Sequence, residues 1–520
     1  MYRFILLAVL ISAFVRIQAQ EIISTYTNPV IRGDFPDPTV IRVGQDYYAA
    51  GTTSDFAPNY PLYHSKDLVN WNKIGAVFNN PPEWIKGDCW APELFYNNGT
   101  YYVYYTARKK SDNISCIGVA VTTDISKGFE DKGILIEWGK EAIDAYIFKD
   151  DNGELYITWK AYGLDERPIE ILASRLSDDG LSLKGEHFTL TDHSKGWKGN
   201  GDEGQCIVKL GGYYYLFYSV GGCCDNRCDY RVEVARSRSL NGKWEQYDKN
   251  PILQGGEVWR CSGHGTLVQT HDERYFYLYH AYHNNDFEFV GRQGLLDELL
   301  WDDTSGWPYF KYGTTPSLQA AAPVKGTVQK RDRLFFDNLI SEDNDKYWIW
   351  DMNLQKPDIT RNNEGMTMAA AASGMCFRGV NPHTGNYTME TSVNSKGSGF
   401  RGLSVYGNKE NLFMWGTDGS GVKLYSVRNG KKQELYSANL PASALTVYIR
   451  VVSVNAKFFR FLWSVDREKW TRYPETEERI DGFFLPQWGK GVRAGIIINS
   501  DSNNTPASGQ FGYFSMEDKF

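Results

Sequence analysis

Residues Asn98-Gly-Thr-Tyr-Tyr-Val-Tyr-Tyr105 join a tight-turn dipeptide to a run of aromatic and β-branched side chains. Asn-Gly favours a hairpin turn, and the run behind it has the composition of a strand. The pattern recurs in Gly44-Gln-Asp-Tyr-Tyr-Ala-Ala50, Asn152-Gly-Glu-Leu-Tyr-Ile-Thr-Trp159, Gly211-Gly-Tyr-Tyr-Tyr-Leu-Phe-Tyr218 and Asp272-Glu-Arg-Tyr-Phe-Tyr-Leu-Tyr279. With Tyr47, Tyr101, Leu155, Tyr214 and Tyr275 taken as equivalent, the five copies are 54, 54, 59 and 61 residues apart. A second strand of small and apolar residues follows most copies, as in Ile117-Gly-Val-Ala-Val121 and Val232-Glu-Val-Ala-Arg236. No long apolar period of 3.6 residues interrupts the series. A repeat of this length with several short strands is the size of one four-stranded blade, so the spacing predicts a five-bladed β-propeller. A single large sandwich would have no need of evenly spaced copies of one hairpin.

The strand before each aromatic run is the candidate innermost strand of its blade, the one that lines the central channel. An ionisable residue recurs there: Asp37, Glu93, Asp144, Glu203 and His264 precede the equivalent positions by 10, 8, 11, 11 and 11 residues. Four carboxylates and an imidazole around one axis repel one another and are costly to desolvate, so stability alone does not explain them. Such crowding raises the pKa of at least one carboxyl, as a general acid at neutral pH requires. Pro36 and Pro38 stiffen the chain around Asp37. Asp34, close by, reads as a turn residue.

The chain has 520 residues, 42% hydrophobic, 23% charged and 15% aromatic, with 50 glycines. These values exclude a disordered, collagenous or multi-span membrane protein. The formal charge is −7. Residues 1–20 combine Arg3 with an apolar stretch from Phe4 to Val15, too short for a bilayer span and fitted to an export signal. Its removal leaves 54 basic and 63 acidic residues, a charge of −9 that disfavours nucleic acid. Export makes disulfides permissible for the eight cysteines at 89, 116, 206, 223, 224, 228, 261 and 376. Cys223, Cys224 and Cys228 share one loop without zinc-type spacing, which points to a local disulfide or free thiols.

Residues 316–332 read as a linker. Beyond Arg333 the repeats stop, and alternating segments such as Leu445-Thr-Val-Tyr-Ile-Arg-Val-Val452 predict a β-sandwich over 333–520. The propeller is assigned 21–315, and the whole chain is all-β.

Several motifs resemble glycoside hydrolase family 43. They are Asn28-Pro-Val30 with Phe35-Pro-Asp-Pro38, Tyr63-His-Ser-Lys-Asp-Leu-Val-Asn-Trp71, Trp90-Ala-Pro-Glu93, Ile143-Asp144, Asp202-Glu-Gly204, Gly263-His-Gly265 and Gly291-Arg-Gln-Gly-Leu-Leu296. The resemblance implies Asp37 as general base, Glu203 as general acid and Asp144 as the residue that orients Glu203 and keeps its pKa raised. It implies inversion, which needs acid and base roughly 6.5–9.5 Å apart. Phe35, Trp90, Glu93, His264 and Arg292 are the implied substrate-binding set, with Phe35 and Trp90 stacking on a sugar face. No metal ligand is assigned and no cofactor is required. A Ca2+ ion in the central channel near His264 is the one ion the resemblance suggests. Gln205 departs from the proline usual after the Glu-Gly of the acid. The C-terminal half resembles the concanavalin A-like sandwich behind some xylosidase and arabinofuranosidase propellers. Such a wall would narrow the channel mouth. The implied activity is exported, exo-acting release of terminal arabinofuranose or xylose from plant polysaccharides. α-L-Arabinofuranosidase comes first, with β-D-xylosidase, a galactan-directed enzyme and a non-catalytic glycan-binding propeller as alternatives. Oligomeric state and disulfide pairing are not legible.

Overall fold

The computed structural model describes residues 24–162, 169–199, 201–500 and 504–519; the export signal expected at 1–20 lies outside them. Five four-stranded antiparallel blades follow in chain order. Their innermost strands are Thr39–Val43, Ile85–Asn97, Glu141–Lys149, Glu203–Leu210 and Trp259–Gln269. Their second strands are the five aromatic runs: Asp46–Ala50, Thr100–Lys109, Leu155–Tyr162, Tyr213–Val220 and Tyr275–His283.

The packing explains the aromatic repeat. Each second strand is covered on both faces, one by each neighbouring blade. Tyr102 and Tyr104 pack with Ile157 and Trp159 of the third blade. Val103 and Tyr105, pointing the other way, pack with Tyr60 and Leu62 of the first. Leu216 and Tyr218 face Ile171 and Ala173, whereas Phe217 faces Tyr277 and Leu295. A strand buried on both faces cannot alternate polar and apolar residues. The ring closes without a shared strand: Ile31 bridges Gly294 of the fifth blade, and the Asn28 side chain bonds both Leu296 N and Leu296 O.

The segment read as a linker is strapped to the propeller. Gln319–Ala321 pairs with Thr25–Thr27, and Arg331 donates to Thr27 O at 2.6 Å. Beyond it, a nine-stranded and a six-stranded sheet enclose one core that includes Met389, Val405, Phe413, Trp415, Ile496 and Phe511. The strand Asn411–Thr417 is buried along its whole length because its other face is covered too. There Phe377, Tyr406, Leu412 and Met414 cluster with Phe56 of the propeller. Trp350–Asp351 adds a strand pair to Phe56–Ala57 across the same boundary. The two halves therefore share apolar contact and backbone hydrogen bonds.

Two disulfides are formed, Cys223–Cys224 and Cys228–Cys261, and Cys89, Cys116, Cys206 and Cys376 are buried thiols. Among the described residues no helix is long and apolar enough to cross a membrane.

Candidate active site

Irregular backbone aims the hub side chains. Asp37, Asp144 and His264 all have positive φ, at 51°, 57° and 42°. For residues other than glycine this is a strained conformation that persists only when the surroundings hold it. The ladders of the third, fourth and fifth blades slip beside Asp144, Glu203 and His264, between Ile143 and Tyr146, Glu203 and Cys206, and Gly263 and Thr266. A bulge turns a side chain out of the pleat, here toward the axis. Gly204 has φ 57°, and a Cβ there would stand 2.7 Å from the His264 ring, so this place next to Glu203 requires glycine.

Asp37 is buried among donors. Arg292 Nη1 donates to Oδ1 at 2.8 Å, and the Thr52 hydroxyl donates to Oδ2 at 2.7 Å. Its amide donates to His280 Nδ1 at 3.1 Å. Burial works against ionisation, but Arg292, with His264 beside it, outweighs burial and holds the carboxyl far below the usual range. His280 has no exposed surface, and burial pushes its imidazole down to about 4, so it is neutral.

Glu203 has a different shell. Lys160 Nζ lies 2.5 Å from Oε2, and the Tyr230 hydroxyl donates to Oε1 at 2.8 Å. Burial raises this carboxyl, yet the ammonium and the hydroxyl overcome burial and lower it. Asp144 shows the opposite balance: burial pushes it up to about 6, and the Glu203 charge adds to the rise. Its Oδ2 accepts from Gly204 N at 3.2 Å. The expectation that Glu203 carries the raised pKa is therefore corrected. Lys160 moves the elevated value to the other member of the pair. His264 Nδ1 stands between the two sides, 3.5 Å from Asp37 Oδ1 and 3.9 Å from Asp144 Oδ2.

The side chains of Asp37, Asp144, Glu203 and His264 are 10%, 7%, 17% and 15% exposed, so each keeps a small solvent-accessible surface. Arg292 belongs to this hub through Asp37. Glu93 does not join it. Glu93 precedes its aromatic run by three residues fewer than Asp144, Glu203 and His264 do, and three residues are ~10 Å along a strand. The place equivalent to theirs is Trp90. Glu93 is deeply buried, its pKa raised by that burial, and it hydrogen-bonds Thr39. Trp90 is half-buried, paired across from Thr106, whose hydroxyl accepts from the Asp144 amide. The Arg108 guanidinium covers one of its faces at 5.5 Å. Phe35 is a second correction: it is 1% exposed in a core cluster, edge-on to Tyr63 at 5.1 Å, with no face free for a sugar.

The Ca2+ ion suggested near His264 does not fit this chemistry. A hard cation needs six to eight oxygen ligands. Asp37 is committed to Arg292 and Thr52, and Asp144 to the Gly204 amide. Among the described residues no three His, Cys, Asp or Glu side chains are placed to share a metal.

Several participants escaped the sequence reading: Lys160, Tyr230, Thr52 and His280. Gln205, which stands in the place of the usual proline, donates from Nε2 to Asp144 O at 2.5 Å and to Thr158 Oγ1 at 3.1 Å. It supports the strained Asp144 backbone. Asp34 is an interdomain clasp and no mere turn residue. Its Oδ1 accepts from Arg292 N at 3.0 Å, and its Oδ2 accepts from Gly491 N at 3.1 Å and Arg493 Nη2 at 2.7 Å. Gly489 of the same sandwich loop accepts from Arg292 Nη2 at 3.3 Å and donates its N–H to Cys224 O at 3.1 Å.

A propeller hub with two carboxylate centres, one held ionised and one coupled to a proton-retaining neighbour, is built for acid–base hydrolysis of a glycosidic bond. Residues 26–308 match the model of glycosyl hydrolases family 43, and the chain belongs to that family of glycoside hydrolases. It is 27% identical to a beta-xylosidase of Bacillus subtilis over 95% of this chain and 99% of that protein. It is 30% identical to an extracellular exo-alpha-(1->5)-L-arabinofuranosidase of Cellvibrio japonicus over 53% of this chain and 86% of that one. Its fold superposes on the GH43 BlXynB protein of Bacillus licheniformis with a TM-score of 0.81 over 95% of this chain and all of that one, at 23% identity.

Proposed function

We propose that the chain is an inverting, exo-acting glycosidase that releases a terminal pentose from plant polysaccharides, with Asp37 as general base and Glu203 as general acid. Asp37 suits the first role because its carboxylate stays ionised and can take a proton from water. Glu203 and Asp144 form one coupled pair, and the proton that Asp144 retains to about 6 is the pair's acid reserve. Gly204 N and Gln205 fix the position of Asp144 beside Glu203. Arg292, Trp90 and His264 face the sugar.

Exo action rests on one observation: Gly489 of the sandwich is bonded to Arg292, which is bonded to Asp37. The second domain thus reaches within two hydrogen bonds of the base, on the Arg292 side of the hub. α-L-Arabinofuranose is the first donor sugar. A relative matched along nearly its whole length is named a beta-xylosidase, which makes β-D-xylose the second reading. Export is proposed as well: the two disulfides suit an oxidising compartment, and some relatives are described as extracellular.

Hydrolysis of the p-nitrophenyl glycosides of arabinofuranose, xylopyranose and galactopyranose identifies the donor. Product sizes on arabinan and xylan test the exo reading, and internal fragments at early times would reject it. Glu203→Gln should abolish turnover while sugar binding persists; unchanged hydrolysis would overturn the acid assignment.

A further inference from the structure

Away from the hub, a cavity of about 400 Å³ lies where the first blade, the connecting segment and the sandwich meet. Lys73 enters it from the first blade, half-buried. Among the described residues no carboxylate is within ion-pair reach of its ammonium. The charges that bear on it, Arg493 and Lys346, are positive, and after burial they add to the push that brings Lys73 down to about 8. Two carboxylates, Asp332 and Asp518, do line the space, but Asp518 is taken by Arg32 at 2.7 Å. Arg331 and Arg333 add further positive charge to the lining. An unanswered cation held in a cation-rich cavity is unfavourable unless an anion joins it.

The walls narrow the choice of anion. Trp71 and Tyr347 line the cavity. A bare inorganic anion would leave the rings unmatched. A hydroxylated ring bearing a carboxylate would satisfy both: C–H faces on the aromatics and the charge on Lys73.

We propose that this interdomain cavity is a second ligand site, distinct from the hub, and that it takes a sugar acid of the uronate type with its carboxylate on Lys73. The assignment depends on none of the catalytic roles. Calorimetric titration of the full chain with sodium glucuronate tests it, beside Lys73→Met and Lys73→Arg. The wild type should bind glucuronate, Lys73→Met should bind about tenfold or more weakly, and Lys73→Arg should keep most of the affinity. Hydrolysis of the nitrophenyl pentoside and the melting temperature should be the same in Lys73→Met as in the wild type. Absence of glucuronate binding, equal binding by Lys73→Met, or phosphate binding as tightly as glucuronate would each overturn the proposal.

Discussion

Lys160 and Glu203 meet as an ammonium and a carboxylate 2.5 Å apart, with their side chains 13% and 17% exposed. The pair comes from adjacent blades, the second strand of the third and the innermost strand of the fourth. Lys160 is itself raised by Glu203 and Asp144 against the effect of burial. Each partner thus stabilises the charged form of the other, which sets where the acid titrates.

A general acid must carry its proton, so activity is lost as pH rises through the pKa of the acid pair. With Asp144 at about 6, kcat/KM should begin to fall near that pH on the alkaline side. Lys160→Met removes the charge that lowers Glu203, so the alkaline limb should move upward by about one pH unit or more. Asp37, held low by Arg292, should stay ionised throughout, with no acid limb down to the pH at which the protein unfolds. The pH profile of kcat/KM for the wild type and Lys160→Met reads both. An unmoved alkaline limb would mean that Lys160 does not govern the acid.

Asp34 ties the sandwich to the hub. Arg493→Ala leaves a buried carboxylate without its guanidinium, a loss of roughly 3–5 kcal/mol for a pair of this kind. The melting temperature should drop by several degrees, and kcat/KM should fall at least ~10-fold because the loop that carries Gly489 loses its anchor. Calorimetry and steady-state kinetics measure the two effects. Loss of stability with unaltered kinetics would show that the clasp holds the domains together without shaping the site.

The Cys228–Cys261 disulfide closes a loop of 33 residues that contains Tyr230, the hydroxyl partner of Glu203. Loop-closure entropy makes it worth roughly 3–4 kcal/mol. Reduction, or Cys261→Ser, should lower the melting temperature and reduce kcat together, since Tyr230 is placed by the same loop. Peptide mapping under non-reducing conditions checks the pairing, and unchanged kcat after complete reduction would separate Tyr230 from the disulfide.

Much of this was legible because the blades repeat. An offset of 10 or 11 residues before each aromatic turn picked out Asp37, Asp144, Glu203 and His264, which do share the hub. The same offset erred at Glu93, three residues nearer its turn, because a strand converts such a slip into a different depth in the channel. Phe35 was misread since nothing local tells which face of its chain meets the core. Lys160 sits among residues of a strand that otherwise packs between blades, and its target lies 43 residues away. Asp34 finds Arg493 across 459 residues, a contact only the docking of two domains creates.

The configuration of the first sugar released tests the central claim most directly. Proton NMR during the earliest turnover of the preferred nitrophenyl pentoside should show the inverted anomer first: β-arabinofuranose from an α-L-arabinofuranoside, or α-xylose from a β-D-xyloside, with mutarotation following later. First appearance of the retained anomer would contradict direct attack by water activated at Asp37 with Glu203 protonating the leaving oxygen.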